Sequence, residues 1–296
     1  MERVFHYTTI DALCNLITKI KVIEGQRCFL MFASNIFYMN DPEEFYYGQR
    51  ILMNTLANIE SEFHIGDDIK LSKIWEIDKS KSENEWGRIL LNKVHKEGYS
   101  PYVLSFCSKE DYLPMWTNYA NQAKGVCLAF VDNRIADNLN GEVEYQDGLN
   151  TESVYYGTIE KESDVLYSSI KDLYIHYLDG LYRNGNNNNL FDRKLKYLAS
   201  MTAQFAPKVK SEVYKDEAEM RKSIKENDTN KVKFRNSRNG NIIPYIEVPI
   251  SVSLLDYIIL GPCTNFELAE SALELMKTKY ELQFDIRKSK CQYRIY

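Results

Sequence analysis

The sequence predicts an α+β fold, a central mixed sheet with helical insertions, and three observations lead there. Two apolar runs of strand length, "YVLSFCS" (102–108) and "GVCLAFV" (125–131), flank "DYLPMWTNYANQAKG", whose apolar residues recur at helical spacing before a glycine stop. Long charged segments at about 50–100 and 163–206 read as helices. The end of the chain, from "LLDYIILGP" onward, reads strand, Gly-Pro stop, helix, strand. No repeat and no linker rich in Pro, Gly or Ser divides the chain, so residues 1–296 are expected to form one domain with those two helical insertions.

Each further element has a local reason. Residues 3 to 8 alternate as a strand does, and from Thr9 the residues Ile10, Leu13, Leu16 and Ile17 fall on one helical face. Thr8 with Asp11, or Thr9 itself, can cap that helix, which makes "FHYTT" (5–9) a strand-to-helix junction. "CFLMFA" is a short strand. In "YMNDPEE", Asn40, Asp41 and Pro42 make a turn, and Glu43 and Glu44 follow in a helix's first turn, where their charge suits the dipole. "RNGNNNNL" is a polar loop interrupting the second helical segment, and "KVKFRNSRNGNIIPYIEVPI" carries two β-rich arms around an Asn-Gly turn, the signal of a hairpin.

Composition excludes several classes. With 44% apolar and 13% aromatic residues, the chain can build a core without staples. The six cysteines have no CxxC pair, and the nearest to a histidine is Cys14, eight positions from His6, which argues for reduced thiols in the cytoplasm and against a zinc site. No stretch of eighteen residues is free of charge, so no membrane span is expected. A net charge of −5 gives no overall attraction to nucleic acid, although residues 190–240 hold 13 Lys and Arg against 7 Asp and Glu. That stretch suits an anionic ligand or a set of solvated faces. Walker, GxGxxG and HExxH motifs are absent from the sequence.

Four constellations carry candidate chemistry. His6, one of four histidines, stands between Tyr7 and Phe5 at the end of a strand, where it and Thr8 offer groups for a ribose hydroxyl, or simply satisfy neighbouring backbone. The "YMNDPEE" turn presents Asn40 or Glu43 at the sheet's edge, or is only a turn. Ser105 ends a buried strand without a nucleophile elbow around it, and Trp116 and Tyr119 share a helical face that serves as core or as ligand platform. In "SEVYKDEAEMRK", a strand would align Glu217, Glu219 and Arg221 on one face, two carboxylates beside a guanidinium, whereas a helix would scatter them into ordinary ion pairs.

Taken in order, "FHYTT.DAL", "YMNDPEEF", "YVLSFCS", "MW.NYA", "GVCLAF", "Y.DEAEMR", "YIILGP" and "KSKCQYR" resemble a widespread family of uncharacterised bacterial proteins across nearly the whole chain. That family in turn resembles a distant branch of the ADP-ribosyltransferase fold, the group with the DarT-type toxins and the transferases that remove RNA 2′-phosphates. The resemblance implies a sheet of ADP-ribosyltransferase type in one catalytic domain, with NAD as substrate and no metal. His6 and Thr8 match its first motif, Ser105 or Tyr119 its second, and Glu219, with Glu217 two positions earlier, its third. It further implies nicotinamide stacking on Tyr7 or Tyr38, Asn40 and Trp116 at the cofactor, and Arg221 or a lysine on the pyrophosphate. The activity implied is transfer of ADP-ribose to a nucleic-acid or protein acceptor, as a toxin or phage-defence effector. The alternative is a non-catalytic nucleotide or nucleic-acid binding module that uses the basic 190–240 region.

Overall fold

A computed structural model describes residues 2–39, 41, 43–76, 83–98, 100–132, 149–159, 165–183, 189–236 and 240–293. In chain order the elements are β1 (Glu2–Thr8), α1 (Ile10–Thr18), β2 (Lys21–Ile23), β3 (Gln26–Asn35), α2 (Glu44–Glu62), α3 (Glu83–Lys96), β4 (Pro101–Cys107), α4 (Leu113–Tyr119), β5 (Val126–Asp132), β6 (Glu152–Ser153) and β7 (Tyr155–Tyr156). They continue with α5 (Val165–Arg183), α6 (Leu190–Phe205), β8 (Val209–Lys210), β9 (Glu219–Lys225), β10 (Lys233–Asn236), β11 (Ile242–Ser251), β12 (Leu255–Leu260), α7 (Phe266–Tyr280) and β13 (Asp285–Lys288).

The fold is α+β, with a large mixed sheet ordered β10-β11-β3-β4-β1-β5-β12-β13. Most pairs are antiparallel, and β12 and β13 run parallel because α7 is the crossover between them. The expected hairpin forms, with Asn236 opposite Ile242, while its turn residues 237–239 lie outside the described residues, as does the asparagine run at 184–188. One core lies between the sheet and α1 and α7, where Leu13, Ile17, Phe29, Leu128 and Phe130 are buried. A second unites α2, α3, α5 and α6, the two helical segments anticipated from the sequence, around Leu56, Ile59, Ile170, Tyr174 and Leu198. A third, smaller one packs α4 on the opposite face of β1 and β5, through Phe5, Tyr7, Trp116 and Cys127.

Strand β4 decides where the clefts fall. One of its edges pairs along its whole length with β9, from Pro101 opposite Lys225 to Cys107 opposite Glu219. The other edge is divided: β3 takes its start, at Tyr102 and Val103, and β1 takes its end, at Cys107. β3 and β1 therefore part, and the sheet is split beside Leu104 and Ser105.

Two glycines set close approaches. Helix α4 ends at Tyr119, well short of the glycine read as its stop, and leaves through Asn121, Gln122 and Ala123 at φ of 49°, 54° and 66°. Gly125 is needed for another reason: a Cβ there would stand 2.1 Å from the carbonyl oxygen of Thr8, where β1 ends. Gly48 lets α2 touch the turn before β8, since its Cβ would stand 2.4 Å from the oxygen of Ala206. Thr9 caps α1 by accepting from the Ala12 N–H at 3.1 Å, which resolves the two capping options.

Candidate functional site

A cavity of 340 Å³ opens beside β1 and β4, walled by Phe5 and His6, Ser105 and Phe106, Met115 and Tyr119 of α4, and the approach to β9. Its floor carries Glu44, Lys210, Glu217 and Glu219. These arrive from four places in the chain. Glu44 opens α2, Lys210 ends β8, Glu217 closes a 3₁₀ turn (Glu212–Glu217), and Glu219 begins β9. Between the last two, Ala218 sits in the left-handed region at φ 45°, an uncommon conformation for a residue with a Cβ. That turn swings the Glu217 side chain out of the strand's face so that both carboxylates meet Lys210.

The strand alternative for this segment holds from Glu219 onward, and with it the period-two partnership of Glu219 and Arg221. Arg221 donates from Nε and Nη2 to the two Glu219 oxygens, each at 2.8 Å, and from Nη1 to the Pro207 carbonyl at 2.7 Å. Its Nη2 also lies 2.5 Å from Glu44 Oε1. Lys210 Nζ donates to Glu217 at 2.5 Å and to Glu219 at 3.0 Å and lies 3.6 Å from Glu44. Three carboxylates thus face two cations in a setting where all but Glu217 are at least nine-tenths buried. Burial alone would raise the Glu219 carboxyl, but the charge and hydrogen bonds of Arg221, helped by Lys210, hold it down to about 2. Burial opposes the charge on Lys210, yet Glu219 and Glu44 outweigh it and raise its pKa. Both groups are ionised at neutral pH.

Glu217 is the carboxylate nearest to solvent, its side chain 18% exposed against 7% for Glu219. Tyr119 donates to its free oxygen at 2.7 Å, and burial beside Glu217 pushes the Tyr119 hydroxyl upward, so that it remains a donor. Ser105 lies by Glu219, which its hydroxyl helps to keep ionised, although no hydrogen bond of regular geometry forms. The Tyr156 hydroxyl, pushed up to about 12 by burial, accepts the Glu219 N–H at 2.8 Å and anchors the start of β9.

His6 stands in the split itself. Its Nδ1 lies 3.0 Å from the Ser105 carbonyl oxygen, which can only accept, so Nδ1 carries the proton. Burial lowers its pKa against that bond, and the ring is neutral at pH 7 with Nε2 as an acceptor.

The structure brings His6, Tyr7, Ser105, Tyr119, Glu217 and Glu219 to this one cavity. Others of the expected site residues are placed differently, each for a local reason. Thr8 is on the opposite pleat of β1 from Tyr7 and lines a neighbouring cleft. The Tyr7 hydroxyl is fixed between the Lys109 carbonyl and the Tyr112 N–H, both at 2.9 Å, and its ring meets Trp116 edge-on, so it is wall and not a free stacking face. Trp116 is fully buried beneath it, donating to Asp111. Arg221 is 2% exposed and turned entirely on protein groups, a counter-ion for carboxylates and not a hand for a pyrophosphate. Tyr38, 45% exposed, lines neither cleft, and Asn40 lies outside the described residues.

Two functional residues escaped the sequence reading. Glu44 had a visible signal, because it occupies the buried face of α2 with Gly48 and Leu52, where a charge requires a partner. Lys210 had none, since only the folded chain sets it opposite three glutamates. The basic stretch that contains it is largely compensated: Lys196 pairs with Glu97, Lys208 with Glu152, Lys231 with Glu226 and Lys233 with Glu247.

Fold and site together define an α+β protein with a split mixed sheet and an acid-rich cleft at the split. Residues 115–222, which run from α4 into β9 and include Glu217 and Glu219 but not Glu44, match the family described as Protein of unknown function (DUF2971). No curated protein and no solved structure matches the chain. Among the described residues, no helix is long and apolar enough to cross a membrane and no group of His, Cys, Asp and Glu could hold a metal ion.

Proposed function

We propose that this cleft breaks the bond between nicotinamide and ribose in NAD and transfers the ADP-ribosyl group, as in an ADP-ribosyltransferase-like sheet. The reading is carried by one observation: His6, Ser105, Tyr119, Glu217 and Glu219, spread over more than two hundred residues, converge on one cavity in which Arg221 and Lys210 hold the Glu219 carboxylate ionised. Loss of nicotinamide leaves positive charge on the ribose, and a preorganised carboxylate acts most where that charge develops. Glu217, the more open of the pair, faces the ribose. Glu219 and Lys210 hold it in place, and Tyr119 fixes its second oxygen. The bonding pair leaves with nicotinamide, the acceptor's lone pair forms the new bond at the ribose carbon, and the acceptor's proton passes to solvent or to His6 Nε2. A nucleic-acid or protein acceptor would make the protein a toxin or phage-defence effector. The non-catalytic binding reading loses ground because the ion pairs of the basic stretch absorb most of its charge.

The test is nicotinamide release from NAD by the purified protein, with and without cell lysate. Wild-type release that falls at least a hundredfold in Glu217→Gln supports the reading, and dependence on lysate separates transfer from hydrolysis. No release by folded wild-type protein under either condition sinks it.

A further inference from the structure

A second cavity, of 510 Å³, lies in the angle where β3 and β1 part, and its lining includes Thr8, Lys19, Phe32, Arg235 and Glu247. His6 lines both cavities and forms the partition between them. The second cavity has its own chemistry. Phe32 is 41% exposed on a buried strand, and its ring rests on Tyr245 at 4.3 Å between centroids, so one aromatic face is fixed from behind and open in front. Beside it, Arg235 donates from Nη2 to Ser34 at 3.0 Å, which orients the guanidinium. Neither Arg235 nor Lys19 has an ion-pair partner among the described residues, whereas Lys231 and Lys233, close to Arg235 in the chain, pair with Glu226 and Glu247. Glu247, directly opposite Phe32 in the strand register, is held by Lys233 at 2.8 Å and lines the cavity as an acceptor. Leu30, Met31, Leu104 and Leu128 supply an apolar base.

An open aromatic face, two cations without an ion-pair partner among the described residues and a fixed acceptor over an apolar floor are the groups that hold one nucleotide: ring for base, cations for phosphate, acceptor for sugar hydroxyl or exocyclic amine. We propose that the second cavity binds a nucleotide, with its base against Phe32 and its phosphate on Arg235 and Lys19. The phosphate belongs either to the dinucleotide of the first cavity or to a separate nucleotide, and only the choice between these rests on the reading of that cavity.

The experiment is equilibrium binding of AMP and of adenosine to the full chain by calorimetry. Arg235→Gln, and less so Lys19→Gln, should weaken AMP on the order of tenfold and leave adenosine little changed. Phe32→Ala should weaken both by a similar factor. Lys279→Gln, a cation of α7 outside both cavities, serves as the charge control and should change neither. All four positions are exposed, so folding is expected to survive, and circular dichroism checks it. Displacement of AMP by NAD identifies the dinucleotide's own half, and simultaneous binding identifies a second nucleotide. AMP that does not bind folded wild-type protein at millimolar concentration, or binds undiminished in both Arg235→Gln and Phe32→Ala, overturns the proposal. Nicotinamide release is read separately, so AMP binding without it leaves the second site standing while the proposed transferase falls.

Discussion

Replacing Glu219 with glutamine keeps the shape of the side chain and removes its charge, which leaves Arg221 and Lys210 buried with two carboxylates instead of three. A carboxyl held at about 2 against a reference of 4.5 contributes on the order of 3 kcal/mol of folding stability at pH 7. Glu219 is 7% exposed, so solvent screening removes little of this. Loss of one partner from a buried ion cluster typically costs about 3–5 kcal/mol, and the two figures agree. The sign with pH follows: the folded pKa is depressed, so the stabilisation is present above the unfolded pKa and is lost as pH falls through about 4.5 toward 2. At pH 3 about 2 kcal/mol of it has gone. Urea unfolding followed by tryptophan fluorescence, run on wild type and Glu219→Gln at pH 7 and pH 3, measures both quantities. The wild-type advantage should be about 3 kcal/mol at pH 7 and should shrink by about 2 kcal/mol at pH 3. An advantage below about 1 kcal/mol at pH 7, or one unchanged at pH 3, would refute the assignment of Glu219 as the ionised centre of the cluster.

Further tests address neighbouring parts of the structure. Gly48→Ala should cost about 1–3 kcal/mol and lower the melting temperature by several degrees, because the new methyl group meets the backbone of Ala206. Calorimetry that shows an unchanged melting temperature would mean that α2 does not press on that turn. Burial lowers the pKa of His6, so below about 6.5 the unfolded chain binds a proton that the folded one refuses, and stability falls as pH drops there. His6→Gln should flatten that part of the stability profile between pH 7 and pH 5. Ala218→Gly relieves a left-handed backbone and should cost little or stabilise slightly, and a large loss of stability would show that its methyl group is needed for packing. Tyr119→Phe should reduce nicotinamide release about tenfold and cost about 1–3 kcal/mol in urea unfolding, since it removes one charge-assisted bond to a part-buried carboxylate, and unchanged release would mean that Tyr119 serves stability alone.

Much of the architecture was legible along the chain because it rests on local rules. Strands β1, β4 and β5, helix α1 with a threonine cap at Thr8 or Thr9, the β10–β11 hairpin and the final strand-helix-strand unit follow from alternation, helical spacing, capping and turn chemistry, all written in neighbouring residues. His6, Glu217 and Glu219 were legible as candidates because an isolated histidine and a Glu-x-Glu-x-Arg segment are unusual by themselves. The sequence could not say that β4 divides one edge between β3 and β1, which creates the split, or that Thr8 and Tyr7, adjacent in the chain, face different cavities. It could not say that Arg221 would be enclosed by carboxylates, or that Lys210 would become their common partner. Such facts depend on which strand edges meet over separations of a hundred residues, and no local propensity encodes them. Local rules along the chain therefore set the elements and the residue types available for chemistry. Tertiary structure decided which of them share a cavity and which charges remain open to a ligand, because both depend on burial and on long-range pairing.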